Sequence, residues 1–167
     1  MEGRKVSETS ITMAQVMLPQ DANPAGNIHG GVIMKLIDTA AAVVASRHSR
    51  ANTVTASIDR LDFHNPVFIG DLLFLKAGIN MVGRSSMEVG VRVEAENYIT
   101  GHVRHTASAY LTFVALDEGG KPKSVAPLIC ETDDEQRRNR EASLRKDSRL
   151  ALRNKEKACS LDISNCK

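Results

Sequence analysis

No run of this 167-residue sequence stays apolar long enough to suggest a membrane span or a secretory leader. The opening MEGRKVSETS has no apolar core, and the most apolar stretch, Val32 to Ala45, is interrupted by Lys35 and Asp38. A cytoplasmic protein without membrane contact is therefore expected. Cysteine is scarce as well. Cys130, Cys159 and Cys166 are odd in number, lack CxxC spacing and lie late in the chain, which argues against a disulfide framework or a zinc site and leaves free thiols as the expectation. His48, His64, His102 and His105 show no metal-ligand spacing with nearby Cys or carboxylates, so packed or solvated imidazoles are expected and no metal. Excess charge is missing too. Of 22 Lys/Arg and 20 Asp/Glu, residues 131–167 hold ten and eight, which leaves twelve of each sign in residues 1–130. A neutral body does not present the basic field of a nucleic-acid binder, so any anion site has to be built locally from a few side chains and backbone amides.

What the sequence does contain is one ordinary domain and a tail. Hydrophobic residues make up 42% and charged residues 25%, the balance of a globular protein with a packed core. Thr9 to Met17 alternates, with Ile11, Met13 and Met17 on one face, and predicts a strand. The loop LPQDANPAGNIHGG follows, with more Pro, Gly and Asn than a simple connection needs. From Val32 to about His48 the period becomes helical. Ile33, Leu36, Ile37, Ala40, Ala41 and Val44 form one stripe, widened by Ala42, Val43 and Ala45. A helix apolar nearly all round has to be wrapped by something.

Four strand-like runs follow: Thr53 to Phe63, Leu72 to Val82, Ser86 to Ile99 and His102 to Leu116. The first shifts phase near Asp59 and Arg60, which predicts a bulge. HNPVFIGD supplies a turn around Pro66 and Gly70. The order strand, long loop, buried helix, four-strand meander predicts an α+β fold, one curved antiparallel sheet around one central helix. After Pro127 the composition turns charged. Residues 1–130 are expected to form the domain and 131–167 a charged tail, helical and exposed in its first half and frayed at its end, with Glu135–Asn139 and Glu141–Arg145 as same-face pairs.

Three segments in register, DANPAGNIHGGVIMKLIDTAAAVVASRH, VTASIDRLDFHNPVFIGD and GRSSMEVGVRVEAE, resemble the acyl-CoA thioesterase branch of the hot-dog superfamily, the branch of bacterial broad-range and mammalian cytosolic and brain acyl-CoA hydrolases. The resemblance covers about residues 9–127 and leaves out the tail. It implies the hot-dog fold, hydrolysis of acyl-CoA to fatty acid and CoA, no metal or redox cofactor, and a site shared across a dimer. It further implies a trimer of dimers, hence a hexamer. Within that pattern an Asn of the loop works with an Asp in the helix of the other protomer; the matching residues are Asn23 and Asp38.

The chemistry of these residues agrees with that reading and leaves alternatives open. A carboxylate on a buried helix is costly unless hydrogen-bonded or functional, and apolar neighbours such as Leu36, Ile37 and Ala41 are expected to raise its pKa toward a base's range. Asp38 would act as general base toward water, or as nucleophile through a mixed anhydride; alternatively it only pairs with Lys35 or a partner-chain Arg. Asn23 would orient water or substrate, or simply initiate a turn before Pro24. His29, Gly30 and Gly31 open the helix, where free amides and the positive dipole end can face a developing oxyanion. The amide of Gly30 or Gly31 is the expected polariser of the thioester carbonyl, and His29 is read as structural. The turn Gly83, Arg84, Ser85, Ser86 offers a cation, hydroxyls and amides suited to CoA. The resemblance places CoA contacts there and along Ala56, Ser57 and Ile58. Two other functions stay open: a non-catalytic acyl-CoA sensor, and a hot-dog dehydratase with His29 near Asp38 as its foothold.

Overall fold

The computed structural model describes residues 1–161 of the chain, and side chains through residue 158. The elements run β1 (Arg4–Lys5), α1 (Val6–Thr9), β2 (Ile11–Val16), a 3-10 turn (Pro19–Asp21), α2 (Gly30–Ser49), β3 (Asn52–Phe63), β4 (Leu72–Val82), β5 (Ser86–Asn97), β6 (His102–Leu116), β7 (Leu128–Ile129) and α3 (Asp133–Leu161). Five strands form one antiparallel sheet in the order β2-β4-β5-β6-β3, and β1 pairs with β7 in parallel. This is the curved sheet over one helix that the alternation predicted. The first expected strand begins two residues late, because Val6–Thr9 closes a helical turn instead.

α2 lays Ile33, Leu36, Ile37, Ala40, Ala41, Val44 and Ala45 into the sheet's concave face, against Leu73, Leu75, Val89, Val91, Val93, Ala109, Leu111 and Phe113. The small alanines let the helix approach the strands closely, and the branched and aromatic strand residues fill the space left. The sheet does not surround the helix. Met34 and Val43 are each 41% exposed, and with Ile58 and Phe63 on β3 they leave an apolar surface open to one side. β3 is an edge strand, so its outer backbone groups have no strand beside them in a single chain.

The expected phase shift in β3 is present as two irregularities, at Ala56 and at Asp59, where the register with β6 skips a residue. A third lies at Asn80 in β4. Gly70, at φ +86, makes the turn before β4 in the left-handed region that favours glycine. Asp71 is buried there, accepts from the Phe68 amide at 2.7 Å and pairs with Arg104. That segment supports the loop before α2 from below, through Ile28 N to Val67 O at 2.8 Å and Met17 N to Asp71 O at 2.9 Å.

The tail is no free appendage. α3 lies on the outer face of the sheet, where Ala142 is fully buried. Asn139 Nδ2 donates to Asn80 O at 2.9 Å, Arg145 Nη2 to Glu88 Oε1 at 2.6 Å, and Arg149 to Asp59 and Thr112. The pairing anticipated along the helix is different too: Glu141 binds Arg137 at 2.7 Å, and Arg145 reaches into the sheet. Helical spacing permits either partner, and the buried carboxylate of Glu88, 1% exposed, demands the cation more strongly than an exposed neighbour does. Cys130 is a free thiol whose pKa burial pushes up. Cys159 and Cys166 lie outside the residues whose side chains are described.

His48 ends the buried stripe of α2. It is fully buried, its Nε2 donates to Ala126 O at 2.9 Å, and Nδ1 has no partner among the described residues. Burial pulls its pKa below the ordinary 6.5, and the Arg4 guanidinium nearby adds to this. Because the folded value is lowered, the unfolded chain takes the proton first. The contribution is complete above about 6.5 and is lost as pH falls from there toward the folded value. Thermal melting is therefore expected to drop between pH 7 and pH 5 more steeply in the wild type than in His48→Gln, whose amide can still donate to Ala126. Parallel pH slopes for the two proteins would contradict this.

Candidate active site

Asp38 sits two turns into α2, half-buried, on the side that the sheet leaves open. Its Oδ1 accepts from Thr55 Oγ1 on β3 at 2.7 Å. Leu36, Ile37 and Ala41 point the other way, into the core, so they do not enclose the carboxylate as the sequence suggested. Nor does Asp38 pair with Lys35 or with any other cation among the described residues. Thr53 makes a parallel contact one step back along β3, Oγ1 to Ser46 Oγ at 2.9 Å. Sequence reasoning passes over Thr55, although it lies inside the VTASID motif. A signal for it exists: Thr53 and Thr55 are polar residues on one face of β3, and a polar pair facing a helix implies polar groups on the helix opposite.

Asn23 forms the turn its place before Pro24 suggests. Its Oδ1 accepts from the amides of Ala25 at 2.9 Å and Asn27 at 3.3 Å, and its own amide donates to Asn27 O at 2.7 Å. Its Nδ2 makes no hydrogen bond among the described residues. The turn reading and the functional one are compatible, since a fixed Oδ1 aims the amide group. His29 caps α2: Nδ1 accepts from Gly31 N at 3.3 Å. That occupies the Gly31 amide, so of the two expected polarisers only Gly30 keeps an unengaged N–H. The ring of Phe63 packs against the helix start; a Cβ on Gly30 would stand 3.6 Å from its Cζ. No hydrogen bond joins His29 to Asp38, which removes the foothold for a dehydratase pair within one chain.

The helix itself separates these groups. Asp38 is eight residues beyond Gly30, about 12 Å along the axis at 1.5 Å per residue. One chain therefore holds a carboxylate two turns into the helix and a free amide donor at the helix start, too far apart to act on a single carbonyl.

Ala56 and Ile58 lie exposed on β3, and Ser57 Oγ donates to Asp59 Oδ1 at 3.0 Å. The turn between β4 and β5 is closed by Gly83 N to Ser86 O at 2.7 Å. Its other carbonyls accept from the end of β6 and from the chain beyond it, Ser85 O from Ala115 N at 2.9 Å and Arg84 O from Val125 N at 3.0 Å. The side chain of Arg84 is exposed, without an ion pair among the described residues. Among the described residues no three His, Cys, Asp or Glu come together in a way that could hold a metal ion, and no helix is long and apolar enough to cross a membrane.

The thioesterase superfamily model matches residues 25–101. The chain is 40% identical over 134 residues to an uncharacterised acyl-CoA thioester hydrolase of Bacillus subtilis, covering 80% of this chain and 78% of that one. It is 36% identical over 139 residues to the cytosolic acyl coenzyme A thioester hydrolase of Mus musculus, covering 82% of this chain; it spans only 36% of that longer relative. Among solved structures, an apo-hexameric acyl-CoA thioesterase superposes with a TM-score of 0.88 at 38% identity, covering 91% and 97% of the two chains. The acyl-CoA hydrolase of Staphylococcus aureus, solved with butyryl-CoA, CoA and CoA disulfide, gives a TM-score of 0.88 at 36% identity, covering 96% and 98%.

Proposed function

The chain belongs to the thioesterase superfamily, and on that premise we propose that it hydrolyses acyl-CoA thioesters in the cytosol, at sites shared between two copies. One observation carries the reading: the carboxylate of Asp38, held by Thr55, stands on an open apolar face about 12 Å from the chain's own Gly30 amide, so a second copy is needed to complete the site. The exposed side chains of Met34, Val43, Ile58 and Phe63 and the unpaired edge of β3 suit that copy. Further support comes from Staphylococcus aureus hydrolase variants, solved with an Asn, an Asp and a Thr replaced by Ala at the same intervals along the chain as Asn23, Asp38 and Thr55. The hexameric relative supports three such dimers as the working assembly.

In this mechanism Asp38 takes a proton from water, the hydroxide adds to the thioester carbonyl carbon, the C–S bond breaks, and the proton passes to the departing CoA sulfur. The Gly30 amide of the other copy donates to the carbonyl oxygen as charge builds on it, and the Asn23 amide group orients the water. No metal or redox cofactor takes part, so dialysis against a chelator leaves kcat unchanged. The anhydride route, with Asp38 attacking directly, leaves 18O from labelled water in the protein carboxylate after a single turnover when water opens the anhydride at the Asp38 carbon; the water route never labels the protein.

Sharing is tested by mixing. Asn23→Ala and Asp38→Ala proteins, each nearly inactive in thiol release from acyl-CoA, are expected to regain up to about a quarter of wild-type activity per site when refolded together, because half of the mixed dimers' sites are intact. If each protein is inactive and the mixture stays inactive, the two residues serve one chain. If wild-type protein binds acyl-CoA and frees no thiol from any of a panel of chain lengths, the sensor reading replaces the enzyme.

A further inference from the structure

The outer face of α3 is exposed, but the stretch from Arg145 to Arg149 turns three cations toward the sheet. Two are spent on carboxylates. Arg145 makes a two-pronged contact with Glu88 and stacks over Tyr110, its Cζ 3.9 Å from the ring centroid. Arg149 holds Asp59. The third, Lys146, is half-buried and pairs with no carboxylate among the described residues. Asp147 is its chain neighbour, and adjacent residues of a helix do not face each other.

Lys146 instead stands over the β4–β5 turn. A Cβ placed on Gly83 would lie 3.7 Å from Lys146 Nζ and 2.9 Å from Ser86 Oγ. Glycine at 83 thus leaves room for the ammonium group and the serine hydroxyl above the turn. The exposed guanidinium of Arg84 and the hydroxyl of Ser85 belong to the same few residues. Two cations with no counter-ion among the described residues and two hydroxyls at one turn make a site for a phosphate-bearing group, which accepts from both kinds of donor. The turn is also on the correct end of the sheet. Met87 is in register with Phe113, and Phe113 with Thr55, so the turn begins two strands, about 10 Å, from the threonine that holds Asp38.

We propose that α3 completes the anion end of the CoA site: Lys146, presented by the Arg145–Glu88 anchor beside it, binds a phosphate of CoA together with the Gly83–Ser86 turn. The segment that the thioesterase match leaves out would then contribute to recognition of the substrate's nucleotide. The inference rests on the acyl-CoA reading above.

Lys146→Gln removes the charge and keeps most of the length of the side chain. Its KM for acyl-CoA is expected to rise about tenfold with kcat unchanged, one unit of RT ln 10 in binding. The KM for the same acyl group on pantetheine, which lacks the nucleotide phosphates, is expected not to move. Lys146→Arg restores most of the loss, and Arg138→Gln, an exposed charge on the same helix, changes neither constant. An unchanged KM for acyl-CoA in Lys146→Gln overturns the proposal. So does an equal rise with acyl-pantetheine, since that would report a structural role for α3. Calorimetric binding of CoA keeps the two readings apart. A protein without thiol release whose CoA affinity still weakens in Lys146→Gln loses the hydrolase and keeps the subsite.

Discussion

Asp38→Ala is expected to lower kcat for acyl-CoA hydrolysis by about 10³-fold while the protein folds and assembles as before. The carboxylate is the only acid on the open face of α2, and its one hydrogen bond is with a hydroxyl on an edge strand. Removing it strands Thr55 Oγ1 at a place water reaches, so melting should shift by no more than about 1 kcal/mol in stability. Asp38→Asn is the sharper test. It matches the shape and can still accept from Thr55, yet it neither takes a proton at neutral pH nor attacks a carbonyl, and it should be as slow as the alanine protein. Thr55→Ala, which leaves the acid and loosens it, belongs between the two extremes, at about tenfold to a hundredfold below wild type. A turnover in Asp38→Asn within a few fold of wild type would remove Asp38 from the chemistry.

The largest stability effect is expected on the other side of the sheet. Arg145→Ala leaves Glu88 buried with only Asn80 Nδ2, at 3.0 Å, as partner among the described residues. Breaking a buried pair from one side costs about 3–5 kcal/mol, or roughly 10 °C in melting for a chain of this size. Replacing both groups, Glu88→Leu with Arg145→Leu, should recover most of that loss, since the buried charge goes with its counter-ion. The comparison needs equal protein concentrations, because assembly contributes to melting. An Arg145→Ala protein within about 1 kcal/mol of wild type would mean that water reaches Glu88 and that α3 is held by other contacts.

The fold was open to inspection because its elements differ in period. The 3.6-residue stripe of Ile33 to Val44 and the strict alternation of Met87 to Ala95 each permit one kind of element, and the boundaries of β4 and β6 follow from the turns that flank them. The active-site acid was visible for a related reason, as a charge where the pattern asks for an apolar residue. What sequence did not reveal depends on partners distant in the chain. His29 and Gly31 look alike as loop residues until one caps the other. Thr55 is ordinary strand material until Asp38 faces it. α3 is the clearest case: the large apolar residues among its described side chains, Leu144, Leu150 and Leu152, are exposed, and it docks through Ala142 and arginines onto acids that the sheet itself buries. A search for apolar stripes passes over such a helix, since its fit is one of charge to charge.

The Glu88–Arg145 contact also sets an order in time. The two residues are 57 positions apart, so at 5–20 residues per second the ribosome finishes the arginine about 3–11 s after the glutamate. The rest of β5 and all of β6 are made within that interval, and from then until α3 follows the outer face of the sheet waits, wet and unneutralised, for its last helix. A nonsense mutation that stops translation between residues 133 and 145 would hold the protein permanently in that unfinished condition, with every proposed catalytic residue present and an acid left facing the solvent where a helix belongs.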